Sequence, residues 1–301
     1  MQTSTNPFPE QAFAESELGR RLLTLHAEGS SSQRILAEHL LRQPMRIMAG
    51  SIEDLATSAG VSTATISRFA RQAGFDGYPA LRGAIAETMQ DVIQPVEKLR
   101  GRFARADGAT PAADEALEAT QTNVRTTAQS RAGGRVEAAA ARLAAARTVF
   151  VLGFGLSSHL AAMLALDLQP FCAQLVNVVE FGGTEVAAGR LMNVGPGDVV
   201  VAISFPRYAT DAVRLATYAR DRGAAAIVIT DSPASPLARI ADELLLAPSQ
   251  HPVLSSSYAG ALVVAEALVT ALMLSNPQNV AHAERLTEAI AGYLHPVSRG
   301  R

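Results

Sequence analysis

Lysine and cysteine each occur once in the 301 residues, as Lys98 and Cys172. A single cysteine excludes a disulfide framework and a metal site built from several thiolates. No apolar run of about 18 residues stands free of charge, so no membrane span is expected. The first ten residues have neither the basic flank nor the apolar core of a secretory signal, and a cytoplasmic protein is the expectation. No strong charge excess is present either. The 26 basic and 28 acidic residues leave a net charge of −2, which neither demands nor forbids nucleic acid. Apart from Lys98 every base is arginine. Beside so much alanine, this reads as a GC-rich coding bias rather than selection for phosphate-binding forks. What the chain does have is core. A hydrophobic fraction of 48% against 18% charged rules out wholesale disorder, and the length suits two domains.

The composition shifts near residue 110. Up to Phe103 the pattern is helical and contains no β-branched run. A Gly/Pro-bearing joint follows over 102–111. Beyond it, apolar runs of strand length fall at 148–152, 175–179, 199–203, 225–230 and 244–247. Helical patterns separate them at 158–169, 184–192, 210–222 and 236–240, and two more close the chain at 257–274 and 277–294. Strands alternating with helices imply a parallel sheet covered on both faces. The run Val199-Val-Val-Ala-Ile203 suits a strand buried on both sides. The last two helices have apolar faces fit for subunit packing or for capping the sheet.

Residues 52–71 have the spacing of two short helices meeting at a tight turn. Ala56 is small enough for close packing, and Gly60 can take the positive φ of a sharp turn. Leu55, Val61, Ile66 and Phe69 can share a core, and Ser62 stands where an N-cap is wanted. With Ile66, Phe69 and Ala70 turned inward, Thr63, Ala64, Ser67, Arg68 and Arg71 lie outward or lateral, and Thr65 near the boundary. Small hydroxyls at a helix start can approach DNA closely, and arginine can grip phosphate or guanine. Ser62, Thr63, Thr65, Ser67, Arg68 and Arg71 are therefore the candidate DNA contacts. A hairpin that only packs or dimerises is the bland alternative, and for Arg68 it is a solvated salt bridge.

In the second half, Thr148-Val-Phe-Val-Leu-Gly-Phe-Gly-Leu-Ser-Ser-His159 reads as a strand, a glycine turn and a helix start. Gly153 and Gly155 let the backbone approach a ligand, and Ser157 and Ser158 add hydroxyls near free helix N–H groups, a setting that attracts anions. A dinucleotide fingerprint would place a third glycine at 158, where serine stands, although Glu180 does follow the second strand. A second loop, 204–211, again joins a strand to a helix. Two such loops from parallel strands would meet at the carboxyl edge of the sheet. There Ser204 can donate a hydrogen bond, Arg207 can fork onto a phosphate or carboxylate, and Tyr208 can stack or hydrogen-bond. The plain alternative for Arg207 is an ion pair with Asp211.

These motifs resemble a known family. Residues 34–90, above all Gly60-Val-Ser-Thr-Ala-Thr-Ile-Ser-Arg-Phe69, are similar to the helix-turn-helix module of RpiR-type bacterial regulators. Residues 113–295, through Gly153-Phe-Gly-Leu-Ser157 and Ser235-Pro-Leu-Ala-Arg-Ile-Ala-Asp242, resemble a sugar isomerase (SIS) domain. The resemblance implies an all-α helix-turn-helix domain over 15–95, a linker over 96–112, and an α/β doubly wound, flavodoxin-like domain over 113–301. It also implies a transcriptional regulator of a metabolic operon, bound to a double-stranded operator and gated by a sugar phosphate or related anionic metabolite. The chain departs from the family at one place. The usual Ser-x-Ser-Gly-x-Thr phosphate loop here reads Ser204-Phe-Pro-Arg-Tyr-Ala209. Proline and alanine lack the missing hydroxyls, proline also lacks an N–H, and Arg207 offers a charge in their place.

The enzyme alternative is a sugar-phosphate aldose–ketose isomerase, which needs a base beside a carbonyl. Glu180, Glu185, His159 and Glu266 are the available groups, and none stands in a motif that specifies catalysis. No catalytic residue, metal site or cofactor is therefore expected. The partners expected are operator DNA, a small anionic metabolite and further copies of the chain, as homodimer or homotetramer. Residues 79–103, between the domains, are the expected transmitter.

Overall fold

The computed structural model describes residues 13–14, 16–104, 111–129, 133–180 and 182–293. The first ten residues and most of the expected joint, 105–110, lie outside this set. The chain divides into two compact units, residues 1–108 and 109–301.

The first unit is helical: α1 (Glu17–Glu28), α2 (Ser31–Arg42), α3 (Pro44–Ala49), α4 (Ile52–Ala59), α5 (Thr63–Gln72) and α6 (Tyr78–Ala104). Its core gathers Leu22, Leu36, Leu40, Leu55, Ile66, Phe69, Leu81, Ile85 and Met89, all essentially inaccessible to solvent. Ser51 and Asp54 form a capping box at the start of α4. The Ser51 N–H and then its hydroxyl hold the Asp54 carboxyl below the usual aspartate range. Helix α4 ends at Gly60, whose φ of 65° turns the chain as the spacing requires. The Val61 N–H closes the turn on the Ala56 carbonyl at 3.1 Å. Arg21 of α1 donates to the Ala73 carbonyl at 3.0 Å, pinning the far end of α5.

Helix α6 runs on to Ala104, so residues 96–104, expected as linker, are helix. Glu97 and Arg100 pair at 2.7 Å one turn apart there. Pro95 and Gly101 disfavour such a helix by about 3 and 1 kcal/mol without ending it.

The second unit opens with α7 (Ala112–Gln129) and α8 (Gly133–Ala145). A five-stranded parallel sheet follows: β1 (Val149–Gly153), β2 (Leu175–Asn177), β3 (Val199–Ile203), β4 (Ala225–Thr230) and β5 (Glu243–Leu246). Strand order is β2-β1-β3-β4-β5, the flavodoxin-like order. Helices α9 (Ser157–Leu168), α10 (Gly183–Arg190), α11 (Thr210–Asp221), α12 (Ala259–Leu274) and α13 (Asn279–Ala291) complete the unit, with a 3-10 turn at Pro236–Ile240. Every residue of β1 and β3 is buried, as continuous apolar runs require. Val149, Val151, Val199, Val201 and Ile203 meet α8, α9 and α12 on one face. Phe150, Leu152, Val200 and Ala202 meet α10 and α11 on the other. Helix α12 thus caps the sheet. Edge strand β2 is half-buried and ends at Asn177, two residues before its apolar run does.

At the amino end of β3, Asp198 accepts a bidentate pair from Arg147, at 2.9 and 2.6 Å, and the Gly195 N–H at 2.9 Å. Burial raises the Asp198 carboxyl's pKa, but the Arg147 hydrogen bonds, the Gly195 N–H and the Arg147 charge outweigh that and hold it below the ordinary value. Near the opposite edge, Asn123 of α7 grips Gln250 in both directions, donating to its carbonyl at 2.7 Å and accepting its N–H at 3.2 Å. That grip fixes the loop leading from β5 to α12.

Candidate functional site

Helix α5 presents the residues expected to read DNA. Ser62, Thr63, Ala64, Arg68 and Arg71 are exposed, and Thr65 and Ser67 half-buried. Three of them act together. The Ser62 hydroxyl accepts the Thr65 N–H at 3.2 Å and shares a hydrogen bond with the Thr65 hydroxyl at 2.9 Å. The Arg68 guanidinium donates to the same Thr65 hydroxyl at 3.3 Å. Ser62 is thus the N-cap, and Thr65 holds Arg68 on the outer face at the helix start. Among the described residues neither Arg68 nor Arg71 has a carboxylate partner, so both charges remain available to phosphate.

In the second unit the sheet brings the two expected loops together. Gly153 and Ile203 are register partners at the ends of adjacent strands β1 and β3. The loops after them leave side by side, where the strand order reverses and α/β sheets open a crevice. Gly153 is glycine for an internal reason: a Cβ there would sit 2.4 Å from the Ser157 carbonyl oxygen, inside the first turn of α9. Ser157 is buried, and the Ser158 hydroxyl donates to the Gly155 carbonyl at 2.6 Å. The Ser158 hydroxyl is therefore engaged by the loop's own fold.

The loop after β3 is differently built. Ser204 is 2% exposed, and its hydroxyl makes no hydrogen bond among the described residues. Its carbonyl accepts the Thr230 hydroxyl at 2.7 Å. Phe205 is buried edge-on against Tyr258, with ring centres 5.6 Å apart. Arg207 has φ 62°, the one positive φ outside glycine among the described residues. Its side chain is exposed, and no ion pair with Asp211 forms. The Asp211 carboxylate instead accepts the Thr184 hydroxyl. Tyr208 donates its hydroxyl to Asp231, just past β4, at 2.8 Å. Burial raises the pKa of the Tyr258 phenol, and the Arg207 charge opposes that rise. Asp231, Tyr258 and Thr184 were not singled out by sequence reasoning. Asp231 follows the end of a strand, the signal that found Ser204, and would have been reached by the same rule.

Two of the four isomerase candidates share a groove. His159 and Glu180 line a groove of about 460 Å³ beside β2, along with Ser158 and Asn177. Glu180 pairs with Arg190 at 3.6 Å, Glu185 lies in the first turn of α10, and Glu266 is an exposed residue of α12. Burial pushes the Cys172 thiol up to about 11, which makes it a poor nucleophile. Among the described residues no cluster of three His, Cys, Asp or Glu side chains could hold a metal ion. No single described helix is long and apolar enough to cross a membrane.

Comparison with known proteins agrees with this architecture. Residues 21–91 match the helix-turn-helix domain of the rpiR family, and residues 142–271 match the SIS domain. The transcriptional regulator HexR of Escherichia coli is 30% identical over 210 residues, 70% of each chain. The sugar isomerase domain of an RpiR transcription factor from Sphaerobacter thermophilus superposes with a TM-score of 0.52 at 26% identity, over 57% of this chain and 96% of that one. Vibrio vulnificus NanR, solved in complex with ManNAc-6P, shares the fold at 23% identity and a TM-score of 0.56, over 93% of this chain and all of the other. The chain belongs to the RpiR family of helix-turn-helix transcriptional regulators with a SIS domain.

Proposed function

We propose that this regulator binds its operator through α5 and is gated by an anionic sugar metabolite held between the loops after β1 and β3. The carrying observation is the junction in one chain of an exposed, arginine-bearing recognition helix with a sheet whose Gly153 and Ile203 ends adjoin. Ser62, Thr63, Thr65, Ser67, Arg68 and Arg71 form the DNA face in this reading. Gly153, Gly155, Ser157, Ser158, Ser204, Arg207 and Tyr208 form the effector site. The protein works in the cytoplasm as a homodimer or homotetramer. Exposed Val280, Leu286 and Ile290 on α13 supply apolar surface for subunit packing.

Gating is linkage. Two α5 helices in a dimer meet two half-sites, and their spacing sets the operator geometry. An effector that prefers one dimer arrangement by about 1–3 kcal/mol changes operator affinity roughly 5–150-fold. The span 79–103, now seen as most of α6, carries the change between units. Selection of bound sequences from genomic DNA, then gel-shift titration with sugar phosphates and sugar acids, tests this. Binding that no such metabolite alters sinks the gating.

The chain is not an isomerase in this reading, since its carboxylates do not converge on one another. NMR of incubations with glucose 6-phosphate and ribose 5-phosphate is expected to show no aldose–ketose interconversion. Turnover that disappears in Glu180→Gln or Glu185→Gln would overturn it.

A further inference from the structure

Helix α6 carries an apolar stripe past the core it helps to build. Met89 is the last described residue of α6 in the core of the first unit. Beyond it the apolar positions Val92, Val96, Leu99 and Phe103 follow at steps of 3, 4, 3 and 4 residues. That is the a and d spacing of a heptad, with Val96 and Phe103 at a and Leu99 at d. The helix runs on through all of them, about 21 Å past Met89.

Exposure along this stretch is inverted. Leu99 is 44% exposed and Phe103 73% exposed, whereas Lys98 and Arg102 in the same turns are half-buried. A helix that serves only its own domain shows the reverse, with the apolar stripe covered and the charges in water. A stripe of heptad spacing fits a helix of the same spacing, because the a and d side chains of one fill the holes between those of the other. The α6 of a second copy is such a helix.

Charge sets the direction. In this register Arg100 stands at e and Arg102 at g, on the two sides of the seam. An antiparallel pair centred on Leu99 faces e with e and g with g, and so opposes arginine to arginine. A parallel pair sets Arg100 against the g position 95 of the second copy, an uncharged proline.

We propose that α6 beyond Met89 pairs in parallel with the same segment of a second copy, through Val96, Leu99 and Phe103. This rests on the homo-oligomer proposed above and names a surface that joins the copies. The seam belongs to the helix that directly follows α5 in the chain. It therefore fixes the separation of two α5 helices, the quantity that half-site spacing reads.

The test uses the full chain with Cys172→Ser and one introduced cysteine, oxidised gently and run on a non-reducing gel, beside sedimentation of the reduced protein. Leu99→Cys and Phe103→Cys each meet their own counterpart across a parallel seam. Each is expected to give roughly tenfold more covalent dimer than Glu97→Cys, which lies at b on the outer side. Cross-linking at only one of positions 99 and 103 overturns the parallel direction. A sedimenting oligomer that links at neither, or equally at 97, overturns the seam and leaves the homo-oligomer standing. A chain that sediments as a monomer overturns both.

Discussion

Tyr208 donates its hydroxyl to Asp231 across 23 residues of sequence, tying the loop after β3 to the end of β4. Because Tyr208 follows Arg207, the bond also steadies the strained residue from one side. Thr230, next to Asp231, donates to the Ser204 carbonyl, so the two strand ends are stitched twice.

Tyr208→Phe removes the tie while keeping the ring. A hydrogen bond to a carboxylate contributes about 1.5–3 kcal/mol, so effector affinity is expected to fall roughly tenfold or more. Calorimetry with the tightest-binding sugar phosphate or sugar acid reads this. Unchanged affinity would mean that the bond does not orient the site.

The Ser62–Thr65–Arg68 chain predicts a graded series in operator binding. Arg68→Ala should weaken binding similarly across sequences and reduce the salt slope by roughly one unit, as loss of a phosphate contact does. Thr65→Ala should weaken binding too, by freeing Arg68, and Thr65→Ser should restore it, since the hydroxyl returns. Gel-shift titrations at several salt concentrations check the series. Full affinity in Thr65→Ala would remove Thr65 from any positioning role.

Gly153→Ala forces a methyl to within 2.4 Å of the Ser157 carbonyl oxygen. The first turn of α9 must then shift, at a cost of about 1–3 kcal/mol. Denaturant unfolding should show the loss, and a midpoint equal to the parent's would contradict the packing described for this turn.

Asp198 predicts a pH dependence. Its carboxyl titrates lower in the folded chain than in the unfolded one. Its contribution to stability is therefore complete above the ordinary aspartate value of 3.8 and disappears as pH falls through the lower, folded value. Asp198→Asn should melt below the parent at neutral pH, and the gap should narrow on acidification below about pH 4. A gap that stays constant with pH would leave the pair no electrostatic role.

The elements and their class were legible in the residue pattern. The run Val199–Ile203 is a strand at both ends as read, because a strand buried on both faces is apolar at every position. The inward set Ile66, Phe69 and Ala70 follows from helical spacing alone. The turn at Gly60 follows from the φ that only glycine takes without strain. These are local rules, and a local reading suffices. Where α6 ends was harder, because Pro95 and Gly101 are local helix breakers that the rest of the helix overrides.

How the site is joined depends on the order of the strands in the sheet. Asn123 meets Gln250 across 127 residues, and Tyr208 meets Asp231 across 23, because the sheet order sets which strand ends are neighbours. The positive φ of Arg207 is likewise invisible in a residue type that normally avoids it. Periodicity reports which face of an element is buried. It carries no information on which distant side chain shares a hydrogen bond, since that depends on how the faces are brought together.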